Sequence, residues 1–154
     1  MSQPKRDVPT PAEEAAQLVK HFKDSPMQMV AFLSGQLSVL KTQAQMIMGM
    51  SGLVITVTGF SGHHMVRGGH ASTVAMIIGI SAVFVGAVDT VRTLGKLRWV
   101  SQDLSDDMEQ TATWVIERRN HEQTALNRAG ALVAVGMLSY LAAVVLAALH
   151  NGQS

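Results

Sequence analysis

The feature that most constrains this chain is a set of long apolar runs that carry almost no charge. The clearest run covers residues 129–149, AGALVAVGMLSYLAAVVLAAL, and contains no charged side chain. A second run covers residues 71–91 and contains one acid, Asp89. A helix needs roughly 20 mainly apolar residues to cross the hydrocarbon core of a bilayer. Both runs therefore predict membrane-spanning helices.

A third apolar run is shorter. Residues 44–60, AQMIMGMSGLVITVTGF, are uncharged, although this run is short for a hydrocarbon core of about 30 Å. The composition agrees with a membrane protein, since 15% of the residues are charged against about 25% in typical soluble domains. A buried soluble bundle is the alternative. We predict an all-α integral membrane protein with three transmembrane helices at about 44–61, 71–92 and 128–149.

Basic residues predict the orientation of these spans. Residues 1–43 contain five Lys and Arg, residues 92–128 contain six, and Arg67 is the single one between the first two spans. Because cytoplasmic loops are enriched in Lys and Arg, we expect the N-terminus and residues 92–128 in the cytoplasm and the C-terminus outside. No uninterrupted apolar core follows Met1, so no signal peptide is predicted. The expected location is the inner (plasma) membrane.

Helices are also predicted on the cytoplasmic side. Thr10-Pro11-Ala12-Glu13 has the pattern of a capping box with proline at the first helical position, which predicts a short helix to about Lys23 within a segment 1–25. From Pro26, apolar residues recur three and four apart, which predicts one helix over about 26–61. The residues of this stripe are Val30, Leu33, Leu37, Leu40, Ala44 and Ile47.

The segment after the second span predicts a further helix. Residues 101–110, SQDLSDDMEQ, contain four acids, and acids favour a helix N-terminus, so we expect a turn near 101–105. The 93–127 linker then leads into the third span, within a membrane domain 26–154. The apolar stripe of this linker is expected to pack on the helix at 26–61 in a cytoplasmic bundle. Alternatively, residues 26–43 lie flat on the membrane. That stripe consists of Leu104, Met108, Thr111, Val115 and Leu126.

Histidines mark the predicted outer face. The loop GFSGHHMVRGGHAS, residues 59–72, lies between the first two spans. Four imidazoles on one face can hold Zn²⁺ or Cu²⁺. A glycine-rich loop without metal is the favoured interpretation, because no fixed ligand spacing and no carboxylate accompany them. We predict no cofactor. The four histidines are His63, His64, His70 and His150.

Two further sets of residues lie within the spans. Asp89 is an intramembrane acid with Arg92 three residues later, and a structural pair or interfacial solvation is favoured over a proton relay. Small residues repeat every four positions, which lets helices approach closely, within one chain or between copies. These small residues are Ala82, Gly86, Gly130, Ala134, Ser139, Ala143 and Ala147.

The remaining features limit the function. The chain has no cysteine and a net charge of +1, so neither disulfides nor nucleic-acid binding is expected. It contains no Gly-x-Ser-x-Gly, P-loop or dinucleotide motif, and we expect no enzymatic activity. The leading hypothesis is a homo-oligomer in the lipid bilayer, whose cytoplasmic bundle binds itself or a protein partner. An outer-face metal-binding protein is an alternative.

A second alternative comes from a resemblance in layout. One helix runs through LSVLKTQAQMIMGMSGLVITVTG into the first span, and another runs through ERRNHEQTALNRAGALVAVG into the last. Over about residues 26–149 this arrangement resembles small bacterial membrane proteins of the Pycsar-effector and SLATT type. The resemblance implies an oligomer that is triggered by a nucleotide or a partner and disrupts the inner membrane in phage defence.

Overall fold

The computed structural model is all-α over the residues it describes, as predicted. It describes residues 9–23, 25–66, 69–95 and 107–151, without the side chains of 64–66 and 151. The helices are α1 (Pro11–His21), α2 (Pro26–Val66), α3 (His70–Gly95) and α4 (Met108–Asn151). The predicted turn near 101–105 lies outside the described residues.

The first helix begins at the predicted capping box. The backbone N–H of Thr10 donates to the Glu13 carboxylate at 2.9 Å, and the Glu13 N–H donates to the Thr10 hydroxyl at 3.4 Å. Pro11 occupies the first helical position, where its missing N–H costs nothing. The helix ends at His21, two residues before the predicted end.

Three of the helices are long and apolar enough to cross a membrane. The spanning candidates are Pro26–His63, His70–Gly95 and Met108–His150. The first continues without a break from the polar half of α2 into its apolar half, as the sequence predicted, although α2 extends to Val66. With 41 residues in α2 and 44 in α4, both have about twice the roughly 20 residues that a bilayer core requires. The chain is therefore consistent with a multi-pass membrane protein.

The chain divides into two compact units. The first, residues 1–39 and 97–123, contains α1 and is called the α1 unit here; the second, residues 40–96 and 124–154, is called the membrane unit. In the α1 unit, Leu33 and Leu37 are buried as the stripe predicted, whereas Val30 is half-buried. On α4, Thr111 and Val115 are buried and Met108 is half-buried. Leu104 lies outside the described residues.

Glycines bring the backbones of α3 and α4 together in the membrane unit. A Cβ on Gly136 would lie 2.5 Å from a Val83 methyl group and 2.7 Å from the Gly79 carbonyl oxygen. A Cβ on Gly86 would lie 2.9 Å from the Ala129 carbonyl oxygen. No side chain larger than hydrogen fits at these positions without a shift of backbone or neighbours, so this crossing depends on glycine.

Hydroxyl groups add polar links to the same unit. The buried Ser72 hydroxyl donates to the Ala143 carbonyl at 2.8 Å, which joins α3 to α4. The hydroxyls of Ser61 and Tyr140 share a hydrogen bond of 2.6 Å, which joins α2 to α4. Polar groups in an apolar medium need such partners, and interhelical hydrogen bonds of this kind help to hold membrane helices together.

Candidate functional site

Within the membrane unit, α2 carries two stripes on different faces. Ala44, Ser51, Val54 and Thr58 are buried and form the face turned toward the rest of the unit. Residues of a second set also recur three and four positions apart. Every member of this set is exposed, and none is Asp, Glu, Lys or Arg. We call this set the α2 outer stripe. It consists of Thr42, Gln45, Gly49, Gly52, Thr56, Gly59 and His63.

The glycines of the α2 outer stripe make no close contact with the part of the chain that the structure describes. Among the described residues, a Cβ on Gly49, Gly52 or Gly59 would meet no atom within 4 Å, in contrast to the crowded positions of Gly79 and Gly136. Glycine costs about 1 kcal/mol relative to alanine inside a helix. Three such residues on one exposed face therefore lower helix stability without allowing any close contact inside the described part of the molecule.

Polar groups and large apolar side chains complete this surface. The Thr56 hydroxyl donates to the Gly52 carbonyl at 2.8 Å, so its hydrogen is satisfied within the helix. Gln45 is exposed, and polar side chains in spanning helices usually face other helices or a water-filled cavity. Met46 and Leu53 flank the stripe and are 60% and 63% exposed. The surface can therefore offer both close backbone approach and apolar contact.

Most of the predicted small residues serve packing within the chain. Gly86, Ala143 and Ala147 are buried, and the Cβ of Ser139 lies 3.3 Å from where a Cβ on Gly79 would be. A Cβ on Gly130 would lie 3.7 Å from the Ile47 side chain of α2. Ala82 is half-buried, and Ala134 is exposed.

The predicted histidines lie at helix ends of the membrane unit. His63, His70 and His150 are exposed, and the side chain of His64 is outside the described set. The His150 imidazole lies 3.8 Å from where a Cβ on Gly69 would be. In the described ranges, no three His, Asp or Glu side chains are grouped as metal ligands. Metal binding remains a prediction.

Asp89 and Arg92 occupy the last part of α3. Asp89 is half-buried, and its backbone carbonyl accepts a hydrogen bond from the Thr93 hydroxyl at 2.9 Å. Arg92 is exposed. Both residues lie near the end of the span, where a long arginine side chain can extend its guanidinium into the interfacial water.

These surfaces were only partly predictable from the sequence. Repeats of small residues four positions apart predicted Gly86 and Ala143 but not Gly79 and Gly136, whose buried neighbours recur at spacings of three and four. The α2 outer stripe has the same alternating spacing, so four-residue repeats do not reveal it. No protein-family model, curated protein or solved structure matches this chain. The resemblance to Pycsar-effector and SLATT-type proteins therefore stays a prediction.

Proposed function

We propose that this chain is a non-enzymatic inner-membrane protein that self-associates through the α2 outer stripe. The observation that carries the proposal is the set of three exposed glycines, Gly49, Gly52 and Gly59, with open space where each Cβ would be. Membrane helices associate mainly by close packing of small residues and by hydrogen bonds. The proposed partner is a second copy of the same helix.

The membrane sets the geometry of this association. All copies insert in the same direction, so two α2 helices meet in parallel around a two-fold axis along the membrane normal, and identical residues face each other. The stripe from Thr42 to His63 is about 32 Å long at 1.5 Å per residue, close to the thickness of a bilayer core. The contact therefore extends over the depth of the membrane.

The proposed orientation follows the basic residues. Eleven of the twelve Lys and Arg residues lie in 1–43 and 92–128, which supports a cytoplasmic α1 unit and an outward C-terminus. In this arrangement the α1 unit is available to a cytoplasmic protein partner.

Cysteine cross-linking tests the self-association, because the chain has no cysteine of its own. We expect Gly49→Cys and Gly52→Cys each to give disulfide-linked dimers in native membranes, since close helices bring identical positions within the Cα distance a disulfide requires. Leu138→Cys on α4 is the control, as Leu138 is 66% exposed but lies off the stripe. Equal cross-linking at Gly52 and Leu138 would refute the interface.

A bulky substitution provides a second test. Gly52→Ile should leave the monomer folded, because space for its first side-chain atom is open, but should separate the dimer in mild detergent. Thermal unfolding of the helices checks the fold, and sedimentation checks the oligomeric state. An unchanged sedimentation coefficient would argue against the interface.

Disruption of the membrane is a second candidate function. Thr42, Gln45 and Thr56 place polar groups on the exposed face of a spanning helix, and in a larger oligomer these groups could line a path for water. Induced expression with a membrane-potential dye tests this function, with Gly52→Ile as the matched variant. Wild type that dimerises but leaves the potential unchanged under every trigger would favour the purely structural role.

A further inference from the structure

Arg119 lies at the centre of a polar cluster in the α1 unit. Its two terminal nitrogens each donate to one oxygen of the Glu14 carboxylate, both at 2.8 Å. The nitrogen nearer Gln36 also donates to the side-chain oxygen of that residue at 2.7 Å. Asn120 accepts from Arg119 at 3.0 and 3.2 Å. This two-point geometry is the arrangement by which a guanidinium recognises a carboxylate.

Apart from this ion pair, α1 buries little of its surface. It has 11 residues, of which Ala15 is the buried residue. Such a short helix is unstable in water on its own, so its folding depends on docking. Beyond Glu14, a cleft of about 110 Å³ remains where Val19 and Phe22 approach Met29 and Met108. Packing under the second half of α1 is therefore incomplete.

The ion pair is also accessible from solvent. The Arg119 and Glu14 side chains are 19% and 26% exposed. A pair that is partly open to solvent is weakened by added salt. Water and a competing carboxylate can therefore reach the guanidinium while Gln36 holds it in place.

We propose that Arg119 and Gln36 form a carboxylate-recognition site that α1 occupies as an in-chain ligand. When α1 is displaced, an acidic amphipathic helix of a partner protein takes its place. Charge complementarity defines this partner, and α1 provides its template. The required pattern is a carboxylate at the position of Glu14, followed by apolar side chains at the positions of Ala15, Leu18, Val19 and Phe22.

Hydrogen exchange of the full-length protein in detergent micelles tests the release of α1. We expect Glu14→Gln to speed amide exchange in α1 by roughly tenfold, because the amide keeps one accepting oxygen but loses the charge and the second hydrogen bond to Arg119. Glu117→Gln is the matched control, since it removes the same charge from an exposed position on α4. Exchange of charges, Glu14→Arg with Arg119→Glu, should restore protection. Equal exchange in Glu14→Gln and the control would overturn the proposal.

Binding in trans tests the docking site itself. The probe is a fluorescent peptide of residues 9–23, added to the full-length chain. It should bind Glu14→Gln about tenfold more tightly than wild type, whose own α1 competes. Binding should weaken with added salt and with Arg119→Met. If α1 is released but the peptide binds wild type and Glu14→Gln equally, or neither, the exchangeable site does not exist.

Discussion

At the scale of single residues, the start of α1 depends on one carboxylate. The backbone N–H of Thr10 and then its side chain hydrogen-bond to Glu13, which lowers the pKa of that carboxyl below its ordinary value of 4.5. Because the folded state has the lower pKa, this contribution to stability is present above 4.5 and is lost as the pH falls through the lowered value. We therefore expect α1 to fray in acid before the remaining helices.

Nuclear magnetic resonance of labelled α1 amides measures this fraying. Glu13→Gln keeps an oxygen that can accept from Thr10 but cannot titrate. We therefore expect the acid-induced fraying of α1 to be smaller in this variant than in wild type. Comparing it with wild type separates the cap from the neighbouring Glu14 contact. An identical acid response in both proteins would show that the cap does not govern the stability of α1.

The residue scale also shows where sequence information ends. The capping box was predictable because Thr10 and Glu13 are three positions apart, and their geometry is local. Gln36 lies off the apolar stripe of α2, so the sequence pattern alone indicates a surface residue. It instead accepts a hydrogen bond from Arg119, 83 positions away. A contact over that separation depends on how three helices pack, which the local sequence does not encode.

At the scale of helices, the apolar stripe of α2 carries a stability prediction. Leu37 is 7% exposed, and Leu37→Asp removes burial that contributes about 1.5–3 kcal/mol and also buries a charge. We expect destabilisation of at least about 3 kcal/mol in chemical unfolding. Ser34→Asp is the control, as Ser34 is exposed. Similar unfolding midpoints for the two variants would contradict the buried stripe.

The helices differ in how far their sequences determine them. Long uncharged runs and the Thr10 cap predicted the helix positions because length, charge and capping are properties of the chain itself. The contacts made by each face were harder to predict. Gly79 and Gly136 are ordinary small residues in sequence, and their role appears only when α3 and α4 cross. The glycines of the α2 outer stripe have the opposite property, since no contact inside the described residues uses them.

At the scale of the whole molecule, charge and hydropathy divide the chain between two solvents. The apolar runs at 44–60, 71–91 and 129–149 are nearly free of charge, whereas the Lys and Arg residues concentrate in two regions of the sequence. This distribution of basic residues predicts the orientation. It also decides which compartment holds the histidines and which holds the Arg119 cluster.

Reporter fusions test this orientation directly. We expect a reporter that is active only in the cytoplasm to work when inserted near residue 105 and to fail when fused after Ser154, because three spans separate the N-terminus from the C-terminus and basic residues stay inside. A reporter that is active only outside should give the reverse pattern, and it serves as the control for expression at both sites. Cytoplasmic activity after Ser154 would require an even number of spans or an inverted protein. In the first case, the apolar run at 44–60 is the one expected not to cross, since it is the shortest of the three relative to the bilayer core.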